Sequence, residues 1–287
     1  MKKDITGHTR LICLLGDPVA HSVSPAMHNL SFETLGLDYA YLAFQTSVEQ
    51  FDNTVATLKQ VGARGFNCTM PCKRIAAERC DIISPAAKLM NSVNTVVIED
   101  GKLYGHNTDG IGFMRSVIDA GHDIIGKQMT LLGSGGASSA VLTQAALDGV
   151  EKINVFARKG NSWNIMENQI AQINAETSCH VTLNELADET ALKSSITDSA
   201  ILVNCSSVGM APNTDACLIP DTSYFHSELI VSDVIYNPRK TKLLTMAESA
   251  GLATFNGMYM LLYQGAAAFK IWTGHEMPVD LVKKELF

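Results

Sequence analysis

The segment 133–138, Gly-Ser-Gly-Gly-Ala-Ser, has the composition of a loop that holds phosphate groups. Gly133 and Gly135 fill the first two positions of the pattern G-x-G-x-x-G, where the turn is tight and the backbone must approach a pyrophosphate closely. The third position is Ser138, so the pattern is incomplete. Such a pattern also arises by chance, and the segment alone leaves a nucleotide site and a chance match both open.

Two charged side chains stand where proton transfer could take place. Lys73 follows a predicted strand and lies in the first turn of a predicted helix, where the helix dipole favours anions over cations. Asp109 begins another predicted helix. The plainer interpretations are a solvated surface lysine and a helix N-terminal carboxylate, and spacing alone does not decide against them.

A further set of polar side chains lies in the loop after the first predicted strand, residues 10–16. Ser24 before Pro25 predicts a helix N-cap with proline at the first helical position, and a helix that runs to about Leu35. Ser22 then lies in the loop at the carboxyl end of a strand, where open α/β sheets bind ligands. A turn with a cap would explain Ser24 and Pro25 but not Ser22.

The elements around the glycine loop predict a strand–helix–strand unit. Residues 128–132 form an apolar strand, apolar residues then recur at helical spacing up to Gly149, and 152–157 form a second strand. In such a unit, the N-terminus of the helix points towards a ligand bound over the glycines. Further strands are predicted at 181–183, 200–205, 229–236 and 253–255, between helices at 163–175, 188–196 and 242–251 and before a long helix from Gly257 to Thr273. The alternation predicts a parallel, doubly wound sheet.

The first third of the chain predicts a sheet of its own. Strands are expected at 10–16, 39–45 and 64–69, with a helix over 48–61. Asp100-Gly101 between the strand-like runs 92–98 and 102–106 is a strong hairpin signal. A helix over 111–120 then leads to the glycine loop, so we place the domain boundary near 107–112.

Composition and charge exclude several classes of protein. With 287 residues, 46% hydrophobic and 18% charged, the chain is long enough for two folded domains and is not disordered. A net charge of −7 offers no basic surface for nucleic acid. No apolar run reaches the roughly 18 residues of a membrane helix and no signal peptide is recognised, so we expect a cytoplasmic protein with no membrane partner. Seven cysteines without a C-x-x-C pair favour reduced thiols and no metal site.

Six motifs together resemble the shikimate dehydrogenase family over nearly the whole chain. They are Gly16-x-Pro18-x-x-His21-Ser22-x-Ser24-Pro25-x-x-His28-Asn29, Asn67-x-Thr69-x-Pro71-x-Lys73, Asn94-Thr95, Asn107-Thr108-Asp109-Gly110, Gly133-Ser-Gly-Gly-Ala137 and Gln264-Gly265. The chain length and the ending Tyr-Gln-Gly-x-x-x-Phe-x-x-Trp-Thr-Gly are most similar to the quinate/shikimate dehydrogenase branch.

The resemblance implies an α/β fold of two domains. Residues 1–109 with the C-terminal helices 258–287 would form the substrate-binding catalytic domain, with a mixed, mostly parallel sheet. Residues 110–257 would form an NAD(P)-binding Rossmann domain. The implied reaction is the reversible oxidation of the ring 3-hydroxyl of shikimate to 3-dehydroshikimate, or of quinate to 3-dehydroquinate, in aromatic amino acid and chorismate biosynthesis or in the use of quinate.

The resemblance also implies a role for individual residues. Lys73 and Asp109 would be the catalytic pair, and we expect them to meet in the crevice between the domains. The implied substrate-binding residues are Ser22 and Ser24 for the carboxylate, Asn67, Thr69, Asn94 and Gln264 for the ring hydroxyls, and Tyr41. The implied cofactor-binding residues are Gly133, Ser134, Gly135, Gly136, Ala137, Ala157, Arg158, Lys159, Ser207, Val234, Tyr236 and Gly257.

The choice between NADP and NAD is less clear from the residues. An NAD site commonly has a carboxylate about 20 residues after the glycines, and none follows the second strand here, which ends Phe-Ala-Arg-Lys-Gly160. Arg158 and Lys159 could clamp a 2′-phosphate, which favours NADP, whereas the quinate/shikimate branch tolerates NAD. Alternatively, Arg158 stacks on the adenine and Lys159 is solvated.

Other functions of the same fold remain open at this point. A nucleotide-binding sensor without turnover would typically lack Lys73 or Asp109, and both are present. A two-domain dehydrogenase acting on a folate or an amino acid fits the paired serines and Gln264 less well. The sequence does not rank quinate against shikimate, and it leaves a homodimer open.

Overall fold

The computed structural model describes residues 4–287. The chain forms two compact units, one comprising the chain up to Thr108 together with Leu262–Phe287, and the other Asp109–Leu261. The strands are β1 (Arg10–Gly16), β2 (Tyr39–Gln45), β3 (Gly65–Cys68), β4 (Ile82–Ile83), β5 (Thr95–Glu99), β6 (Lys102–His106), β7 (Gln128–Leu132), β8 (Lys152–Ala157), β9 (His180–Glu185), β10 (Ile201–Asn204), β11 (Ile230–Asp233) and β12 (Ala253–Asn256).

The helices alternate with these strands along most of the chain. They are α1 (Ser24–Leu35), α2 (Phe51–Gln60), α3 (Lys73–Arg79), α4 (Pro85–Met90), α5 (Asp109–Asp119), α6 (Gly136–Asp148), α7 (Trp163–Glu176), α8 (Glu189–Asp198), α9 (Lys242–Ser249), α10 (Met258–Thr273) and α11 (Val279–Leu286). A short 3₁₀ helix covers Thr222–Tyr224.

The first unit contains a mixed six-stranded sheet in the order β2-β1-β3-β5-β6-β4. β1 is parallel to β2 and β3, and β5 is antiparallel to both of its neighbours. Asp100 and Gly101, between β5 and β6, both have positive φ, 49° and 73°, as a two-residue hairpin turn requires. Because β5 runs against β1 and β3, it begins at the sheet edge where they end.

Apolar side chains cover both faces of this sheet. Phe51 and Phe66 belong to the cluster on one face, and Phe32, Phe269 and Trp272 belong to the cluster on the other. The buried Trp272 Nε1 donates to the carbonyl oxygen of Val96 in β5 at 2.9 Å. A residue near the end of α10 is thereby fixed to the centre of the N-terminal sheet.

The second unit is a parallel six-stranded sheet in the order β12-β11-β10-β7-β8-β9. β7 and β10 are neighbours, and the chain turns outward from them in opposite directions. This is the topological switch point at which open α/β sheets bind ligands. The predicted α/β fold, with a mixed N-terminal sheet and a doubly wound second sheet, is confirmed.

Several local predictions need correction. Ser24 is not an N-cap: α1 begins at Ser24, and the cap position is Val23, whose side chain makes no capping hydrogen bond. Ser24 instead turns into the protein, where only 7% of it is exposed. Asn94 lies before β5 and not within it. The short helix α4 is not predicted from the sequence, although Ser84 accepts a hydrogen bond from the Ala87 N–H as its cap.

Across residues 4–287, no helix is both long and apolar enough to cross a membrane. Within the same range, no group of three or more His, Cys, Asp or Glu side chains is arranged to hold a metal ion.

Candidate functional site

The predicted substrate-binding residues of the first unit lie at one edge of its sheet. Gly16 at the end of β1 is level with Gln45 at the end of β2, and Cys68 at the end of β3 lies beside Leu15. Thr95, the first residue of β5, pairs with the last residue of β6 at the same edge. The chain pairing therefore brings together loops that are far apart in the sequence.

A buried hydrogen-bond network connects these strand ends. The Tyr41 hydroxyl donates to Asn67 Oδ1 at 2.7 Å. Asn67 Nδ2 donates to the Asn94 carbonyl oxygen at 2.8 Å and to Thr95 Oγ1 at 3.0 Å. Because a backbone carbonyl can only accept, the Asn94 carbonyl determines which way the Asn67 amide points.

The network continues to the end of the first unit. Asn94 Oδ1 accepts from the Thr108 N–H at 2.9 Å and from Thr95 Oγ1 at 2.9 Å. Asn94 Nδ2 donates to Thr108 Oγ1 at 3.0 Å. All three side chains are at most 2% exposed. The sequence analysis gave no role to Thr95 or Thr108, although each stands in one of the six motifs.

Tyr41 lies beneath the other predicted substrate-binding residues. It has no exposed surface, and its ring stacks on His28 with 4.5 Å between ring centroids. Burial raises the pKa of the Tyr41 hydroxyl, and a hydrogen bond with Ser24 partly opposes that shift. Direct contact of Tyr41 with a substrate stays a prediction. In the structure, the Tyr41 hydroxyl contacts Ser24 and Asn67.

The other predicted residues of the first unit are half-buried. Ser22 Oγ accepts from the Ser24 N–H at 3.2 Å in the loop after β1. The Thr69 N–H donates to the Leu15 carbonyl oxygen at 2.9 Å, which places Thr69 directly after β3. Lys73 is the first residue of α3, and its carbonyl oxygen accepts from the Val93 N–H at 3.0 Å. Gln264 lies in the middle of α10.

Asp109 belongs to the other unit, where it is the first residue of α5. Its predicted pairing with Lys73 stays a prediction.

The second unit has a cavity of about 640 Å³ at the switch point of its sheet. It lies between the loops that follow β7, β8 and β10. Seven of the predicted cofactor-binding residues line it: Gly133, Ser134, Gly135, Ala157, Arg158, Lys159 and Ser207.

The glycine loop has the geometry of a phosphate-binding turn. Gly133 has a φ of 114°, and a side chain there would press on the backbone of Ser206 at 3.1 Å. A Cβ at Gly135 or Gly136 would meet nothing within 4 Å, so their backbone faces open space. No side chain caps α6 at Gly135, so the first N–H groups of the helix remain available to an anion.

Ser138 occupies the third glycine position for a structural reason. It is fully buried, and its Oγ donates to the Gly133 carbonyl oxygen at 2.6 Å. The hydroxyl thus joins the first turn of α6 to the loop. Ala137, between Gly136 and Ser138, is half-buried at the start of the same helix.

The remaining predicted cofactor-binding residues lie outside the lining of this cavity. Val234 and Tyr236 follow β11, and Tyr236 is 48% exposed. Gly257 follows β12, and a Cβ there would lie 1.9 Å from the Val234 carbonyl oxygen. Only glycine fits where the chain at 257 passes so close to the backbone of Val234. Close packing therefore explains Gly257 without a contact to the cofactor.

A buried carboxylate supports two of the loops at this edge. Asp233, at the end of β11, has no exposed surface and accepts from Asn204 Nδ2 at 3.1 Å, the Ile235 N–H at 3.0 Å and Thr241 Oγ1 at 2.8 Å. Burial raises the pKa of Asp233, and the three hydrogen bonds oppose that shift. Asp233 is not predicted from the sequence, because an acid at the end of an apolar strand carries no local signal of burial.

Comparisons with known proteins agree with this arrangement. Residues 14–96 match the family model of the shikimate dehydrogenase substrate binding domain, and residues 257–287 match that of the shikimate 5′-dehydrogenase C-terminal domain. A shikimate dehydrogenase (NADP(+)) of Listeria monocytogenes is 48% identical over 283 residues, which cover 99% of this chain and 97% of that protein. The chain belongs to the shikimate dehydrogenase family.

Solved structures of the family have the same fold. A crystal structure of shikimate 5-dehydrogenase from Listeria monocytogenes, in complex with shikimate and NAD, is 47% identical with a TM-score of 0.97, covering 100% of this chain and 99% of that one. A quinate dehydrogenase from Corynebacterium glutamicum in complex with NAD is 26% identical with a TM-score of 0.86, covering 96% and 98%. The family is confirmed, whereas the quinate/shikimate branch stays a prediction.

Proposed function

We propose that this chain is a shikimate dehydrogenase that reversibly oxidises the 3-hydroxyl of shikimate to 3-dehydroshikimate with NADP or NAD. The observation that carries the proposal is the full-length identity of 48% to a shikimate dehydrogenase (NADP(+)). The polar network at one sheet edge and the glycine-lined cavity supply the two kinds of site that this reaction needs.

Ser22 and Ser24 are proposed to bind the substrate carboxylate through their hydroxyls, and Asn67, Thr69, Asn94 and Gln264 to hold the ring hydroxyls. The hydrogen bonds that Asn67 already makes determine whether it can donate to a ring hydroxyl of the substrate or accept from it. Both N–H groups of Asn67 are used by Asn94 and Thr95, and Oδ1 accepts one bond, from Tyr41. A carbonyl oxygen has two lone pairs, so Asn67 can offer an acceptor to a ring hydroxyl but no donor.

Lys73 and Asp109 are proposed as the catalytic pair. Bound NADPH or NADH supplies the hydride in the reductive direction. Protonated Lys73 then donates a proton to the carbonyl oxygen of 3-dehydroshikimate, and Asp109 orients both the ammonium group and the adjacent hydroxyl. In the oxidative direction, neutral Lys73 accepts the proton of the 3-hydroxyl.

Replacement of Lys73 tests the assignment. We expect Lys73→Ala to lose on the order of 10²–10⁴-fold in kcat, as is typical of a general acid–base group. Arg74→Ala is the matched control, because Arg74 is the adjacent cation, is 72% exposed at the side chain and forms an ion pair with Glu78 on the same helix. Near-normal turnover in Lys73→Ala, measured by NADPH formation with shikimate, would exclude Lys73 as the acid–base group.

Quinate is proposed as a second substrate on narrower grounds. Tyr41 stands where the quinate/shikimate branch has a tyrosine, and a quinate dehydrogenase shares the fold. The two substrates differ in one ring hydroxyl and one double bond, so kcat/KM with each measures the preference directly. Failure to turn over quinate would place the chain among the enzymes specific for shikimate.

We further propose that the enzyme works in the cytoplasm. All seven cysteines are free thiols, which is typical of proteins kept in a reducing compartment.

A further inference from the structure

Lys159, one of the two cations predicted to bind a 2′-phosphate, already has an anionic partner. β8 and β9 are parallel neighbours, and their register places Ala157 beside Glu185. Lys159, two residues after Ala157, forms an ion pair with Glu185 through Nζ and Oε1. The same ammonium lies 5.8 Å from the centre of the Trp163 ring. Glu185 belongs to β9, which is the last strand at that edge of the sheet.

Arg158 is in a different situation. Like Lys159, it is exposed and lines the cavity beside the glycine loop, but it forms no ion pair with any other residue in the range 4–287. The two neighbouring cations are therefore not equivalent, since one is available to an anion and the other is engaged.

Strand pairing also brings an acid beside the end of β8, where the sequence that follows the strand has none. An NAD site usually has a carboxylate after its second strand, and here that position holds Arg158 and Lys159. The acid comes from β9, the third strand of the unit, and lines a surface groove together with Lys159. A 2′-phosphate that approaches Lys159 must compete with this carboxylate for the ammonium group, whereas the ribose hydroxyl of NAD carries no charge and depends less on that ammonium.

We infer that Glu185 is a selectivity residue that, by engaging Lys159, lowers the preference of this enzyme for NADP over NAD. The expected change in kcat/KM rests on the proposed function, whereas the expected change in the dissociation constants of the cofactors does not. Arg158 then provides most of the attraction for the 2′-phosphate.

The test compares the dissociation constants of NADP+ and NAD+ for the full chain by calorimetry. In Glu185→Gln, we expect selectivity for NADP+ to rise by about two- to five-fold, the range for the loss of one exposed ion pair. In a Lys159→Met background, the same change should have no effect, because Glu185 acts through Lys159. Unchanged selectivity in Glu185→Gln, or a gain that persists in Lys159→Met, would overturn the inference.

Glu167→Gln is the matched control, because Glu167 is an exposed acid in the same surface groove as Glu185 and forms no ion pair with Lys159 in the described structure. Its selectivity should equal that of the wild type. Lys159 and Glu185 are 65% and 50% exposed at their side chains, so these variants are expected to fold.

The ratio of kcat/KM for NADP+ and NAD+ with shikimate should follow the ratio of affinities. Absence of turnover in the wild type with both cofactors would contradict the proposed function alone. An active wild type whose selectivity does not respond to Glu185→Gln would contradict only the inference about Glu185.

Discussion

His28 is expected to make the first unit sensitive to mild acid. Its ring is fully buried against Phe32, Tyr41, Phe269 and Trp272, and neither ring nitrogen has a hydrogen-bond partner among the described residues. Burial lowers the pKa of His28 from 6.5 to about 3. The neutral ring is therefore tolerated in the folded protein, and the charged ring is not.

The size and sign of the effect follow from proton linkage. As the pH falls below 6.5, the unfolded chain binds a proton at His28 while the folded chain does not, until about pH 3. Stability is thus lost over this range as the pH falls. One pH unit corresponds to about 1.4 kcal/mol, so His28 should cost the folded state about 2 kcal/mol between pH 7 and pH 5.

His28→Phe removes the titration while it keeps an aromatic ring in the cluster. The larger ring can itself cost about 1–3 kcal/mol by overpacking, but that cost does not depend on pH. We therefore expect the difference in unfolding free energy between the variant and the wild type to shift by about 2 kcal/mol in favour of the variant from pH 7 to pH 5.

Urea unfolding followed by tryptophan fluorescence measures this difference. The chain has two tryptophans, and Trp163→Phe leaves Trp272, whose ring centroid lies 5.4 Å from that of His28. Phe32→Leu is the control, because it alters packing in the same cluster without removing a titrating group. Parallel curves of stability against pH for His28→Phe and the wild type would refute the reasoning from burial.

Two further changes test the local arguments. Ser138→Ala should lose about 1 kcal/mol of stability and weaken cofactor binding, because the Gly133 carbonyl oxygen loses its hydrogen bond to the serine hydroxyl. Ser139→Ala is the control and should change little, since Ser139 Oγ has no hydrogen-bond partner among residues 4–287. Equal effects of the two on melting temperature and cofactor affinity would contradict this. Asn29→Asp should destabilise the first unit by about 1–3 kcal/mol, because Asn29 Nδ2 donates to the Tyr41 carbonyl oxygen at 2.8 Å and a carboxylate oxygen there cannot donate; an unchanged unfolding free energy would count against it.

Much of the fold could be predicted because its signals are local. β1, β2, β7 and β8 begin and end where the sequence predicts, since each is a short apolar or alternating run bounded by turn residues. The Asp100-Gly101 turn is confirmed because both positions need positive φ. Ser24 was assigned wrongly as a cap because an N-cap signal does not reveal which way the side chain faces.

The residues of the candidate site also fall into two groups, those that local signals in the sequence predict and those that they do not. Residue types and their spacing select the glycine loop, Lys73 and the serines after β1, because each stands at the end of a predicted strand or the start of a helix, and the family resemblance adds Asn67. Roles that depend on contact with a residue distant in the sequence could not be predicted from residue types and spacing. Thr95 and Thr108 became part of the network through strand pairing, and Asp233 through its burial.

By itself, the sequence determined the order and type of the main elements, the family, and the loops that could meet a ligand, because backbone preference and apolar periodicity are properties of neighbouring residues. Only the tertiary structure decided which polar atoms are already used. Asn67 is left with an acceptor, Lys159 is engaged by Glu185, and His28 is buried without a hydrogen-bond partner in the described chain. The contacts of Asn67 with Asn94, of Lys159 with Glu185 and of His28 with Tyr41 each join residues more than ten positions apart, and such contacts form only when strands pair and helices pack.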